Sequence, residues 1–382
     1  MKNKISIFSF FSGAGILDLA FENSGYNIVW VNEYSKEFLR SYQYARQQMK
    51  YKTPLYGYSE KSAEKYAKKR GKKYLKKLMS LERDKGHLIG FIGGPPCPDF
   101  SVGGKNAGRH GANGKLTKTY FDIICRCKPD FFFFENVKGL ISTEKHKGFF
   151  EEMKMKAVAN GYVLTEKLVN SLEYGVPQSR ERIFLIGIQR ELFQYNQDLL
   201  NQNSFIFEWE KYQLFDMDDL MGRRWPNRTP FIINGVCPCP RGIPKKLTVQ
   251  YWFDKNSVEI HPNAVDVFNV RNGNNRIENI DEGDTSRKSF KRLHRWRYSP
   301  TAAYGHNEVH LHPYLPRRLS VSEAMAIQSV PKTFVLPSGV SLSAKFKMIS
   351  NGVPYKMALA IAKTLKDLLV IIKENYDEKN DH

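Results

Sequence analysis

The sequence predicts a doubly wound α/β domain joined to a smaller, irregular β-rich domain. Three observations carry this expectation. Short apolar β-type runs alternate with helix-spaced stretches through the first 190 residues. One of those runs, PDFFFFENV at 129–137, is apolar on both faces, as a strand covered by helices on both sides must be. After about residue 190 the alternation stops: residues 195–315 hold many Asn, Arg, Trp, Tyr, Pro and Gly residues and little periodicity.

In chain order, ISIFSF (5–10) is the first strand and meets a glycine turn, and GILDLAFENSG then has helical spacing and a glycine stop. YNIVWVNE (26–33) and HLIGFIGG (87–94) follow as strands, then 129–137, GYVLTEKLVN (161–170) and RERIFLIGI (180–188). Helices are expected around 36–49, 117–128 and 146–160. Helical spacing returns after Ser320 with SVSEAMAIQSV, and 354–374 reads as a long amphipathic helix. The expected divisions are 1–192, an irregular domain at 193–318, and a segment at 319–382 that returns to the first domain.

Composition narrows the function classes. With 41% hydrophobic and 26% charged residues the chain is globular, neither disordered nor fibrous. Its formal charge of +20 over 382 residues favours a polyanionic partner, nucleic acid first and an acidic membrane surface second. No run approaches the roughly 18 apolar residues that span a bilayer. The first twenty residues imitate a signal peptide, but Asp18 breaks the apolar run. Five cysteines, an odd number without framework spacing, point to a reducing compartment, so a cytoplasmic location is expected. Residues 61–85 hold eleven Lys or Arg against three acids, with Tyr74, Leu75, Leu78 and Met79 at helical spacing. That segment is either a solvated helix face or a contact for nucleic-acid phosphates.

Four local patterns carry chemistry. FSGAG (11–15) follows the first strand and opens a helix, where glycines let backbone approach a ligand; a tight structural turn would use the same residues. Glu33 ends the second strand 18 residues after Gly15, where ribose hydroxyls are usually held, so the pair suggests a nucleoside-containing cofactor. The loop lacks the Lys-Ser/Thr phosphate cradle of ATP and GTP sites. Cys97 lies just past the third strand, behind Pro95 and Pro96, which hold a loop rigid with its thiol in the crevice. Its alternative is a small buried hydrophobe. Glu135 ends the phenylalanine strand, where desolvation would raise its pKa and let it act as an acid; a turn or cap residue is the alternative. Arg180 and Arg182, two apart at a strand start, share one face and could hold an anion or a base carbonyl.

The ordered set FSGAG, VNE, GGPPCPDFS, ENV, QSRER and SNGVP resembles the C5-cytosine DNA methyltransferases, whose donor is S-adenosylmethionine. The resemblance covers most of 5–190 and 297–365 and implies a Rossmann-like methyltransferase domain with a target-recognition domain. It implies that Phe11, Ser12, Gly13 and Gly15 line the cofactor, with Glu33 on its ribose, Tyr34 beside it, and Pro96 and Asn351 completing the pocket. Cys97 matches the nucleophile, Glu135 the acid, and Arg180 and Arg182 the arginines around the target cytosine; Ser101 is expected to touch DNA. Residues 299–331 are similar to the segment that supports the recognition domain.

The implied reaction is chemically coherent. Cytosine C5 is too weak a nucleophile until a thiolate adds to C6 and an acid engages N3. The base must leave the duplex to be reached. The chain departs from the family pattern at Pro98, where Gln is usual, at Asp99, where Gly is common, and at Ser350 in the S-N-G-V-P run. No acid stands where the family contacts the adenine amine; Tyr58 lies near that place.

The 193–318 region is expected to choose the target sequence. Arg287, Lys288, Lys291, Arg292, Arg295 and Arg297 suit phosphate contact, with Phe290 and Trp296 among them; an exposed basic strand is the alternative. CPCP (237–240) lacks a second paired set, so no metal is expected even with His306, His310 and His312 nearby. Cys125 and Cys127 read as core filler. The expected partners are double-stranded DNA and a companion restriction endonuclease, with the protein itself a monomer. Rival readings are a tRNA-methylating relative, a non-catalytic DNA-binding relative, and a nicotinamide-dependent dehydrogenase; the last explains neither Cys97 nor the charge.

Overall fold

The computed structural model describes residues 5–96, 112–269, 277–287, 289–301, 304 and 309–380. Nine strands form one mixed sheet in the order β3-β2-β1-β4-β5-β7-β6-β9-β8. The strands are β1 (Ile5–Phe10), β2 (Asn27–Asn32), β3 (Tyr58–Ser59), β4 (Leu88–Gly93), β5 (Phe131–Val137), β6 (Tyr162–Asn170), β7 (Glu181–Gln189), β8 (Leu200–Asn201) and β9 (Ser204–Phe205). β1 pairs in parallel with β2 and β4, and β4 with β5. β7 runs antiparallel to both β5 and β6.

The period of two splits each central strand between two cores. Ile5 and Ile7 of β1 and Phe131 and Phe133 of β5 face one core with α1 (Ile16–Asn23) and a long C-terminal helix. Phe8 and Phe10, with Phe132 and Phe134, face the other. That second core is covered by α3 (Lys69–Arg83), α4 (Ala112–Cys127) and, after the short α5 (Gly139–Ser142), α6 (Glu144–Ala159). The helix between β2 and β3 is α2 (Lys36–Gln48), capped by Ser35, whose hydroxyl accepts from the Phe38 amide.

Beyond β9 the chain is irregular but sparser in strand than its composition suggests. Its described strands are β10 (Lys291–Arg292) and β11 (His310–Leu311), with α7 (Met217–Gly222) and α8 (Val249–Asn256). Turns and carbonyl-directed side chains take the place of a ladder there. Val249, Trp252 and Phe253 of α8 share a core with Leu319, Ala326 and Ile327, so this region packs onto α9 (Val321–Ile327) across residue 318. Two further helices follow, α10 (Leu342–Asn351) and α11 (Tyr355–Asn380). No helix among the described residues is long and apolar enough to cross a membrane.

One buried acid ties α3 to the sheet. Glu82 accepts from Ser6 Oγ at 2.5 Å and Tyr56 Oη at 2.7 Å, and pairs with Lys85 and His87. Burial opposes its ionisation, but the bonds from Lys85, Ser6, Tyr56 and His87 prevail and bring its pKa down to about 2. Its folded value lies below its unfolded one, so its stabilisation is complete above the ordinary carboxyl range and fades as pH falls toward about 2. Urea unfolding across pH should therefore find Glu82→Gln less stable than the parent at pH 7, with the gap narrowing steadily on acidification.

Candidate active site

β1 and β4 end together, with Phe10 paired to Gly93, yet β1's other neighbour is β2. The loops leaving β1 and β4 therefore diverge and open a crevice at the carboxyl edge. The first loop needs three left-handed residues, Phe11 (φ 53°), Gly13 (59°) and Gly15 (84°). A side chain at Gly15 would begin 2.4 Å from the Tyr42 ring, whereas nothing lies within 4 Å of the same position at Gly13. Among the described residues, open space thus stands before the loop while its back is tightly packed. Phe11 sets its ring edge-on to Tyr120, at 6.0 Å.

Glu33 follows β2 and braces the loop. Its carboxylate accepts from the Gly13 and Ser35 amides, both at 2.8 Å, while burial pulls its pKa upward against those bonds. Tyr34 beside it is 73% exposed. Ser12 Oγ is buried and has no hydrogen-bond partner among the described residues. Asn351, exposed at the end of α10, is followed by Gly352, whose Cβ position lies 2.7 Å from Ile16 at the loop's helix. Tyr58, half-buried in β3, sets its ring against Tyr42.

Beneath the loop lies a plug of buried charge that the sequence reading missed. Arg46 of α2 donates to the Gly15 carbonyl at 2.8 Å, pairs with Glu22 at 2.8 Å and lies over the Tyr42 ring. Burial raises the Glu22 pKa to about 7, and Arg46 pulls against it. Asp18, fully buried, accepts from Ser9 Oγ at 2.8 Å. The available signal was spacing: Tyr42 and Arg46 are four apart on the helix face that also carries Leu39.

The acid sits one strand away. Because Gly93 pairs with Phe134, Gly94 falls beside Glu135, and a Cβ there would stand 2.7 Å from Oε2. On the other flank β7 brings Arg182 opposite Val137, diagonal to Glu135 on the same face. Arg182 Nε meets Glu135 Oε1 at 2.9 Å. Burial raises the Glu135 pKa, while Arg182 and Arg180 restrain the rise. Arg180, 1% exposed, donates to the carbonyls of Ser350 and Gly352 and so locks the turn around Asn351 to the arginine strand. Pro95 is buried and Pro96 half-buried at the mouth of this pocket. Cys97, Ser101, Lys288 and His306 lie outside the described residues.

Two of the arginines expected on DNA are internal struts instead. Arg292 is fully buried, donates to the carbonyls of Ile277, Ile280, His312 and Leu315, and covers the Phe231 ring. Arg295 makes a forked pair with Glu282 and donates to the Gly235 carbonyl at 2.7 Å. An irregular backbone leaves carbonyls without ladder partners, and these guanidinium groups supply the donors. The braced segment presents Ile232, Ile233 and Val236, the last 97% exposed. Arg287 (paired with Asp284), Lys291 and Arg297 remain accessible in whole or part. Cys237 accepts from Trp296 Nε1 through its carbonyl. Burial pushes His310 down to about 3 and His312 to about 4, and Cys125 and Cys127 up to about 11 and 12 in the core. Among the described residues no three His, Cys, Asp or Glu side chains gather as metal ligands do.

A glycine loop braced by an acid at a switch point, next to a buried acid–arginine pair, defines an α/β enzyme that works on a ligand held at the carboxyl edge of its sheet. Residues 5–367 match the C-5 cytosine-specific DNA methylases, and the chain belongs to that family: it is a DNA (cytosine-5) methyltransferase. It is 50% identical over 380 residues to the Type II methyltransferase M.NmeDI of Neisseria meningitidis serogroup C, covering 99% of this chain and 86% of that protein. It is 30% identical to the Type II methyltransferase M.FnuDI of Fusobacterium nucleatum, covering 96% and 95%. A candidate prophage DNA modification methyltransferase of E. coli shares the fold, with a TM-score of 0.62, 21% identity and coverage of 96% and 99%.

Three outcomes follow from this geometry. Gly94→Ala should displace the Glu135 carboxylate and lower kcat about 10²-fold, read in single-turnover methylation, with cofactor affinity unchanged. Arg295→Ala should cost about 3 kcal/mol by leaving Glu282 buried and unpaired, measured by denaturant unfolding. Arg297→Ala should leave stability within about 0.5 kcal/mol and weaken DNA binding.

Proposed function

We propose that the protein is a sequence-specific DNA methyltransferase of a restriction–modification system, using S-adenosylmethionine to methylate a cytosine turned out of the duplex. The observation that carries the reading is the Glu135–Arg182 pair held against the bare backbone of Gly94, three residues before Cys97. The Type II relatives support the restriction–modification setting. A companion endonuclease, a cytoplasmic location and a monomeric enzyme are part of the same proposal.

The residues at the first loop fit the cofactor. Among the described residues Ser12 Oγ lacks a partner and the space before Gly13 is open, and the Glu33 carboxylate stands at the end of β2. Phe11, Ser12, Gly13 and Gly15 would line it, Glu33 and Tyr34 would take its ribose side, and Pro96 and Asn351 would close the pocket. When bound, S-adenosylmethionine supplies an electrophilic methyl group.

The protein's own part is to make cytosine C5 nucleophilic. Cys97, as thiolate, adds to C6 of the extruded base. Glu135, whose raised pKa favours the protonated form, donates to N3 and draws electron density from C6, so that addition of the thiolate there leaves an enamine nucleophilic at C5. Arg182 orients that carboxyl through Nε, and Arg180 fixes the Asn351 turn through its carbonyl contacts. After transfer, loss of the C5 proton expels the Cys97 thiolate and restores the ring. Ser101, Arg287, Lys288, Lys291 and Arg297 are proposed as DNA contacts.

The test is to incubate protein, or its Cys97→Ser variant, with plasmid DNA and S-adenosylmethionine, then bisulfite-sequence the product. The expected result is 5-methylcytosine at one short motif with the parent and none with the variant. Label entering tRNA and not DNA would overturn the reading.

A further inference from the structure

The basic segment at 61–85 contributes +8 of the chain's +20, since its eleven cations face three acids. Its helix, α3, sorts these charges by face. Leu75, Leu78, Met79 and Glu82 turn inward and are buried, while Lys69, Arg70, Lys73, Lys76 and Lys77 turn outward and are exposed. Lys61, Lys65 and Lys68 are exposed on the approach to the helix. The two ends differ. Arg83 and Lys85 at the far end pair with Asp130 and Glu82, but among the described residues no carboxylate forms an ion pair with any of the eight exposed cations before them.

This arrangement works against the helix that carries it. Lys69, Lys73 and Lys77 repel one another at four-residue spacing. The first turn holds no acid, and Lys68 caps the positive end of the helix dipole without a side-chain bond. Solubility alone is met by charges of both signs interspersed. An extended polyanion would relieve the repulsion along the whole face, and α3's fifteen residues give it about 22 Å of length.

The position identifies the polyanion. Asn32 Nδ2 at the end of β2 donates to the carbonyls of Ser59 and Lys61, and the Glu33 amide donates to Ser59. Arg126 of α4 donates to the carbonyl of Ala67. The unpaired end of the segment is therefore pinned to the carboxyl edge of the sheet, next to Glu33, where the crevice opens. Duplex emerging from that edge would meet it.

We propose that the outward face of α3 and the lysines leading into it form a second, sequence-independent docking surface for the phosphodiester backbone of duplex DNA flanking the target site. The inference rests on the DNA-methyltransferase reading and adds a contact outside the recognition region. It holds the enzyme on DNA between targets through counterion release.

The test replaces Lys69, Lys73, Lys76 and Lys77 together by Ala, which favours helix and leaves the buried face intact. Binding to random-sequence duplexes of about 12 and about 40 base pairs is followed by anisotropy across a salt series, without cofactor. The variant should bind the long duplex more weakly, with its log–log salt slope reduced by about 3 to 4, and bind the short duplex like the parent. Its kcat on saturating plasmid should be unchanged. An unaltered slope and affinity on the long duplex would reduce the face to solvated charge and overturn the proposal. Equal losses on both duplexes would place α3 inside the central interface and overturn it as well. Lost binding to tRNA or to phosphatidylserine vesicles, with duplex binding intact, would assign the surface to another polyanion. Failure of the methyltransferase reading would show separately, as a parent protein that methylates no DNA.

Discussion

The active centre depends on one close approach: the backbone of Gly94 against the Glu135 carboxylate, with no Cβ between them. That contact requires β4 and β5 to be adjacent, parallel and in the register that pairs Gly93 with Phe134. The register is in turn fixed by four consecutive phenylalanines that alternate between two cores. A slip of one residue would exchange the faces of all four and carry Glu135 away from the crevice. The chemistry of one carboxyl is thus held by the packing of a whole strand.

The charges around that acid follow the same economy. Arg182 approaches from β7, which runs opposite to β5, so the start of one strand meets the end of another. Arg180 on the same face spends its donors on the carbonyls flanking Asn351. A segment 170 residues later in the chain is thereby tied to the arginine strand. Under the first loop, Arg46 performs a similar service for Gly15. Buried guanidinium groups recur as clamps on backbone carbonyls, because each offers several donors in a fixed plane.

Much of this was legible from residues alone. The phenylalanine run announced a strand buried on both faces, and β5 is that strand. The direction of β7 was not legible, because alternation is the same in parallel and antiparallel strands. Nor was the burial of Arg292 and Arg295. A count of positive charge cannot reveal which cations will meet unpaired carbonyls, and an irregular backbone creates such carbonyls without a sequence signature. Arg46 was hidden for the same reason: its spacing placed it on the inner face, but only Gly15 and Glu22 explain why a cation belongs there.

The packing of α11 against α1 has a consequence for how the enzyme is made. Tyr26 donates to the carbonyl of Ala362, Lys366 to that of Gly25, and Asn23 to Tyr355, while Leu365 and Leu369 complete the core beneath β1. These contacts close loops of more than 330 residues. A growing chain on the ribosome therefore leaves the core beneath β1 uncovered on this side until α11 has emerged. A translation product stopped before α11 would lack Met357, Ile361, Leu365 and Leu369 and be left with an open core.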